Sequence, residues 1–218
     1  MEPISILTEK HKIILNLVSQ EPELVKSFYF TGGTALTEFY LHHRYSEDLD
    51  FFSKTPLENQ YLSVKMHEWS EQYQFTFQSR FIEVVYIFNL TFADGEQLKV
   101  DFGYYPYKQL EKGTTYKSIP VDSELDIAIN KLNTISQRTE IKDFVDLYFL
   151  LQKYSVYDLM EGVKVKFQVK VEPFLLAADM LKVEDFTYLP RMVTPLPLDT
   201  LKDYYRKQAR AFGLRTII

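Results

Sequence analysis

The sequence predicts an α+β fold: a lobe of strands and helices over residues 1–120, then a helical lobe over 121–218. Three observations lead there. From about Gln72 to Tyr105 apolar and aromatic residues follow a strand pattern. After Pro120 the apolar spacing changes to that of helices. Before both, short apolar runs flank a Gly-Gly turn, as a strand and a helix would.

Ile13, Ile14, Leu17 and Val18 recur at helical spacing behind a candidate cap, Thr8. Phe28–Tyr29–Phe30 is a short apolar run followed at once by Gly32–Gly33–Thr34. Leu36, Phe39, Tyr40 and His43 then fall on one face of a short amphipathic helix, and Asp48 to Ser53 alternates as a strand does. Phe75 and Phe77 alternate with polar residues, and Phe81 to Phe92 reads as one long β run. Asp94–Gly95 signals a hairpin, with Leu98, Val100 and Phe102 alternating on the return strand. Ser123-x-x-Asp126 resembles a capping box opening a helix through Arg138, and a second helix is expected from about Glu140 to Lys153. Helical patterns continue to the end, punctuated by Pro173 and by Pro190 to Pro197.

Composition excludes more than it assigns. With no cysteine, the chain has no disulfide, thiolate metal site or Cys nucleophile, which fits a reducing cytoplasm. The first dozen residues lack the apolar run of a signal peptide, and no stretch approaches the ~18 apolar residues of a membrane span. The net charge of −5 argues against a strongly basic nucleic-acid coat. Locally, Lys202, Arg206, Lys207, Arg210 and Arg215 outnumber Asp199 and Asp203. That basic helix could follow an RNA backbone or be an ordinary solvated face.

The chemistry is concentrated in three segments. On a strand, Asp48 and Asp50 point one way while Leu49 and Phe51 point to the core. Two carboxylates roughly 6–7 Å apart repel by about 2–3 kcal/mol at an effective dielectric near 20, an arrangement that suits open solvent or a divalent cation. Magnesium takes hard oxygen ligands, typically one or two carboxylates plus substrate phosphates. Asp101, flanked by Val100 and Phe102 that face the other way, adds a third carboxylate. Three would serve two metals, or one metal and a general base. Gly32, Gly33 and Thr34, between strand and helix, offer close backbone approach and free N–H groups to a phosphate. Each piece has a plainer reading: a solvated acidic face, a simple turn, a surface aspartate. Tyr104, Tyr105 and Tyr107 could stack on a base or merely pack.

Gly32-Gly33-Thr34-Ala35-Leu36, followed by His43-Arg44-x-Ser46-x-Asp48-Leu49-Asp50-Phe51-Phe52, resembles the first motif of the AbiEii/AbiGii toxin family. That family is a branch of the DNA polymerase β-like nucleotidyltransferases. Lys131-Leu132…Arg138…Lys142-Asp143-x-x-Asp146-Leu147 resembles its second signature, a lysine helix followed by Arg-Asp-x-x-Asp-Leu. Lys142 stands where that signature has arginine, keeping the charge without the bidentate fork. The resemblance covers roughly residues 28–153.

It implies a nucleotidyltransferase-like fold: a mixed, mainly antiparallel sheet with flanking helices, followed by a helical lobe. It implies the toxin of a bacterial toxin–antitoxin or abortive-infection pair, with a cognate antitoxin as partner. The implied reaction moves NMP from an NTP to an acceptor hydroxyl, for some members the 3′ end of tRNA, with Mg2+ as cofactor. Carried onto this sequence, Asp48 and Asp50 become metal ligands, and Gly33 and Thr34 phosphate contacts. Ser46 lies beside them, Lys131 neutralises the triphosphate, and Asp143 or Asp146 completes the site. Asp101 is the candidate third carboxylate.

Asp143 and Asp146 also read as structural acids on one helix face, and Lys131 as a lysine reaching past an apolar run to solvent. Two rival functions share the fold. The acceptor could be a protein or a small molecule, or the chain could bind nucleotide or a partner without turnover.

Overall fold

The computed structural model describes residues 5–56 and 58–215, leaving Met1 to Ile4, among others, outside the described residues. It divides into two compact units. The first comprises residues 1–40, 46–108 and 112–123; the second comprises 41–45, 109–111 and 124 onward.

In the first unit, α1 (Glu9–Gln20) starts at Thr8, whose hydroxyl accepts the His11 amide, while His11 Nδ1 accepts the Thr8 amide. This is a capping box with histidine in the usual Glu position. Ile14, Leu17 and Val18 of the expected apolar face are buried, joined by Leu15, while Ile13 is only half-buried. Then follow α2 (Pro22–Ser27) and β1 (Phe28–Thr31), every residue of β1 being buried.

Gly32 to Leu36 forms α3, one short turn that widens into a π turn over Thr37–Leu41. The helix stops there, and His42 adopts a φ of 49°. His43 therefore leaves the helical face that its spacing suggests.

β2 (Leu49–Ser53) begins one residue after Asp48. The sequence expectation put Asp48 inside the strand. Instead it stands at the strand's mouth, its carbonyl taken by the Thr34 hydroxyl. Next come α4 (Asn59–Tyr73), β3 (Phe75–Ile82), β4 (Val85–Phe92) and β5 (Gln97–Tyr104). The sequence reading leaves residues 59–71 unassigned, although Leu62, Met66 and Trp69 bury one helical stripe there. The run expected from Phe81 to Phe92 is broken by a turn at Glu83, where φ is 55°. The Asp94–Gly95 hairpin forms as expected, with the Gly95 amide donating to the Phe92 carbonyl. A small ribbon, β6 (Thr115–Tyr116) with β7 (Ile119–Pro120), ends the unit.

The main sheet has the order β1-β2-β5-β4-β3. Only β2 and β5 run parallel, so the sheet is mixed and mainly antiparallel. Phe51 and Phe102 are register partners and stack with centroids 5.1 Å apart. Phe28, Phe30 and Phe88 pack against them edge-on or tilted. Each such pair adds about 0.5–1.5 kcal/mol beyond its burial. The cluster pins the register, because a one-residue slip would drive the neighbouring aspartates into the core.

In the second unit, α5 (Glu124–Gln137), α6 (Ile141–Leu150), α7 (Val156–Phe167), α8 (Pro173–Leu181) and α9 (Leu198–Arg215) follow the expected helical pattern. Asp126, expected from its spacing to close a capping box, is engaged elsewhere in the unit. Its buried carboxylate accepts the Leu110 and Glu111 amides and the Lys166 ammonium at 2.7–3.0 Å, which fixes residues 109–111 to this unit. Among the described residues no helix is long and apolar enough to cross a membrane.

Candidate active site

The first unit assembles one acidic constellation on one face of its sheet. Asp50 and Asp101 are register partners across the parallel β2–β5 pair, so their side chains share a face. Leu49, Phe51, Val100 and Phe102 point the other way and are all fully buried. Asp101 thus faces away from the core, beside Asp50.

Gly32 makes room for this. Its φ is +75°, and a Cβ there would lie 2.2 Å from Asp50 Oδ2. Glycine is required twice, for the left-handed backbone and for the space that the carboxylate fills.

Asp48 is held through its backbone. The Glu47 carbonyl accepts His11 Nε2–H at 2.9 Å, and the next carbonyl, that of Asp48, accepts the Thr34 hydroxyl. Thr34 is fully buried, and its hydroxyl is spent on positioning Asp48. Ser46 is half-buried just upstream.

Lys99 completes the constellation and was not singled out from sequence. Its ammonium lies 2.5 Å from Asp101 Oδ2 and 4.0 Å from Asp48 Oδ2. Burial works against the Lys99 charge, but Asp101, then Asp48 and Asp50, raise its pKa above the ordinary value. Burial also raises the Asp101 carboxyl, helped by Asp48 and opposed by Lys99. The available signal was its spacing: two residues before Asp101 on one strand, Lys99 shares that face.

Among the described residues, no three His, Asp or Glu side chains are gathered closely enough to hold an ion alone. The donor chemistry nevertheless suits magnesium, which needs one or two carboxylates when phosphates supply the rest. Asp101 Oδ1 is buried with no hydrogen-bond partner among the described residues, an unmet acceptor beside Asp48 and Asp50.

Lys131, Asp143 and Asp146 lie in the second unit as parts of a buried ion cluster. Lys131 Nζ is 2.7 Å from Asp143 and 2.6 Å from Asp146. Arg44 grips Asp146 through two nitrogens at 2.6 and 2.9 Å, and His43 Nε2–H donates to it at 2.7 Å. Arg138 forks onto Asp143 at 2.7 and 3.2 Å, supplying the guanidinium that Lys142 cannot. Burial opposes ionisation of both aspartates, but Arg44 and Lys131 hold Asp146 well below the usual carboxylate range. Lys131 and Arg138 likewise lower Asp143. Asp146 and Asp143 in turn raise Lys131 against its burial.

Several of the softer candidates are engaged in packing or ion pairs. Tyr105 stacks on Phe52 at 4.6 Å and meets Tyr107 edge-on. On α9, Arg206 pairs with Glu184 and Asp203, and Lys202 donates to the Glu184 carbonyl. The Arg215 side chain lies outside the described residues.

The chain has relatives of known sequence and structure. An uncharacterized Aquifex aeolicus protein is 34% identical over 146 residues, covering 65% of this chain and 66% of that one, just under two thirds of its length. MenT4, a nucleotidyltransferase toxin of Mycobacterium tuberculosis, superposes with a TM-score of 0.60 at 17% identity over 94% of this chain and 82% of that one. JHP933 of Helicobacter pylori superposes with a TM-score of 0.56 at 19% identity, over 96% and 94% of the two chains. These structures share the fold. The family described as Nucleotidyl transferase AbiEii toxin, Type IV TA system, matches residues 16–213. With that match spanning nearly its whole length, the chain belongs to the AbiEii family of nucleotidyltransferase toxins.

Proposed function

We propose that the chain is a magnesium-dependent nucleotidyltransferase that moves NMP from an NTP to an acceptor hydroxyl, RNA being the acceptor class to test first. The observation that carries this reading is the Asp50–Asp101 register pair, with Gly32 shaped around Asp50 and an unmet buried oxygen on Asp101. Family membership supports the reaction class.

Asp48 and Asp50 would hold the magnesium ion, which supplies neutralisation of phosphate charge when bound. The amides of Gly33 and Thr34, at the start of α3, would contact the phosphates, with Gly32 and Ser46 beside them. The acceptor oxygen attacks the α-phosphorus, the bond to the bridging oxygen breaks, and pyrophosphate leaves. Asp101, with its raised carboxyl pKa, takes the acceptor proton.

Lys131, Asp143 and Asp146 enter first as the ion cluster of the helical unit. For Lys131 to neutralise a triphosphate, its ammonium has to give up Asp143 and Asp146. A Lys131→Arg variant that keeps its stability but loses transfer would establish that role.

The test is incubation with each α-labelled NTP and total RNA, with cell protein and small hydroxylated molecules as parallel acceptors. Label in RNA, lost in Asp48→Ala and Asp50→Ala proteins that still fold, supports the reading. No transfer to any acceptor rejects it.

A further inference from the structure

Arg80 and Lys99 both act on the carboxylate face of the first unit, and they differ in kind. Arg80 lies in the same row of the sheet, aligned through Ile87 with Asp101, and acts from two strands away. Lys99 sits among the carboxylates themselves, against Asp101 and within reach of Asp48, with Asp50 also acting on it. Its side chain is about one-third exposed, so its end can swing into solvent without disturbing the core. Among the described residues the aspartates form no ready-made metal cluster.

We propose that Lys99 is the resident counter-cation of this site: its ammonium occupies the place a divalent cation takes and is displaced when that ion binds. This rests on the metal assignment made above and adds a residue to it. Without a cation, Asp48, Asp50 and Asp101 repel across a few ångströms. Lys99 offsets that repulsion and makes metal binding an exchange of one cation for another. It is a positioning residue, acting through the aspartates.

The experiment measures Mn2+ binding by electron paramagnetic resonance in the wild-type protein and in Lys99→Gln, which keeps a polar side chain and deletes the charge. Without its competitor, Lys99→Gln is expected to bind Mn2+ at least about tenfold more tightly. Equal or weaker binding overturns the role of Lys99 alone. Failure of both proteins to bind Mn2+ overturns the metal assignment as well.

Because Lys99→Gln could fold poorly, a second measurement uses the wild-type protein. Lysine acylation, read by mass spectrometry, should increase several-fold at Lys99 when Mn2+ is added. Unchanged labelling of Lys99, with Mn2+ binding confirmed in the same sample, overturns the proposal.

Discussion

The Asp50 carboxylate fills the space that a side chain at Gly32 would need, with Oδ2 only 2.2 Å from the position of a Cβ. Gly32→Ala must therefore move Asp50 as well as strain a backbone at φ +75°. A stability loss of about 1–3 kcal/mol is expected from the strain. Displacing Asp50 by an ångström should lower NTP transfer by about a hundredfold. Chemical melts and labelled-NTP assays read the two effects separately, and full transfer by Gly32→Ala would contradict the assignment of Asp50.

Thr34 reaches Asp48 through the backbone, so Thr34→Val, close in shape, leaves the Asp48 carbonyl without its hydroxyl donor. The stability cost should be about 1–3 kcal/mol. Transfer should fall through kcat, since the substitution loosens Asp48 and leaves the amides of α3 in place. An unchanged kcat would mean that the hydroxyl does nothing for Asp48.

Removing Lys131 takes one cationic partner from each of two fully buried carboxylates and leaves Arg138 on Asp143 and Arg44 on Asp146. Lys131→Met is expected to lose about 3–5 kcal/mol, the usual penalty for breaking a buried ion pair from one side. Urea unfolding measures it. A loss under about 1 kcal/mol would show that the cluster rearranges freely.

His43 gives the second unit a sensitivity to mild acid. Burial lowers its pKa from the ordinary 6.5, opposed by Asp146 and reinforced by Arg44 and Lys131. Its Nδ1 is buried without a partner among the described residues, so a second proton would find no acceptor. With the folded value below the unfolded one, its contribution is intact above pH 6.5 and is lost as pH falls further. Asp143 and Asp146, lowered from 3.8, add their losses only in stronger acid. Asp101, with its raised pKa, runs the opposite way. The unfolding free energy should therefore drop between pH 7 and pH 5 less steeply in His43→Gln than in the wild type. Parallel curves would refute this account of His43.

Much of this site was legible in the sequence because it depends on alternation. Val100, Asp101 and Phe102 must face opposite ways on any strand, and the pairing of Asp50 with Asp101 then puts two carboxylates side by side. The rest required tertiary contacts that no spacing encodes. His11 holding the Glu47 carbonyl and Thr34 holding that of Asp48 join segments 36 and 14 residues apart. His43 was misplaced because a π turn and a left-handed His42 end the helix early. Lys99 was readable from its spacing to Asp101, but a lysine beside an aspartate on a strand usually signals only a solvated face. Asp126 was read by local spacing alone, and its partners Leu110, Glu111 and Lys166 lie up to 40 residues away.

The parallel β2–β5 pairing also sets when the site can exist. Asp50 and Asp101 lie 51 positions apart in the chain, and the antiparallel β3–β4 hairpin sits between them. Such distant pairing forms only after a long loop has closed, which slows folding relative to local contacts. On the ribosome, a nascent chain that ends before β5 carries Asp48 and Asp50 without Asp101 or Lys99. The carboxylate face and its balancing ammonium therefore arrive together, late in the synthesis of the first unit, and no shorter fragment holds the set.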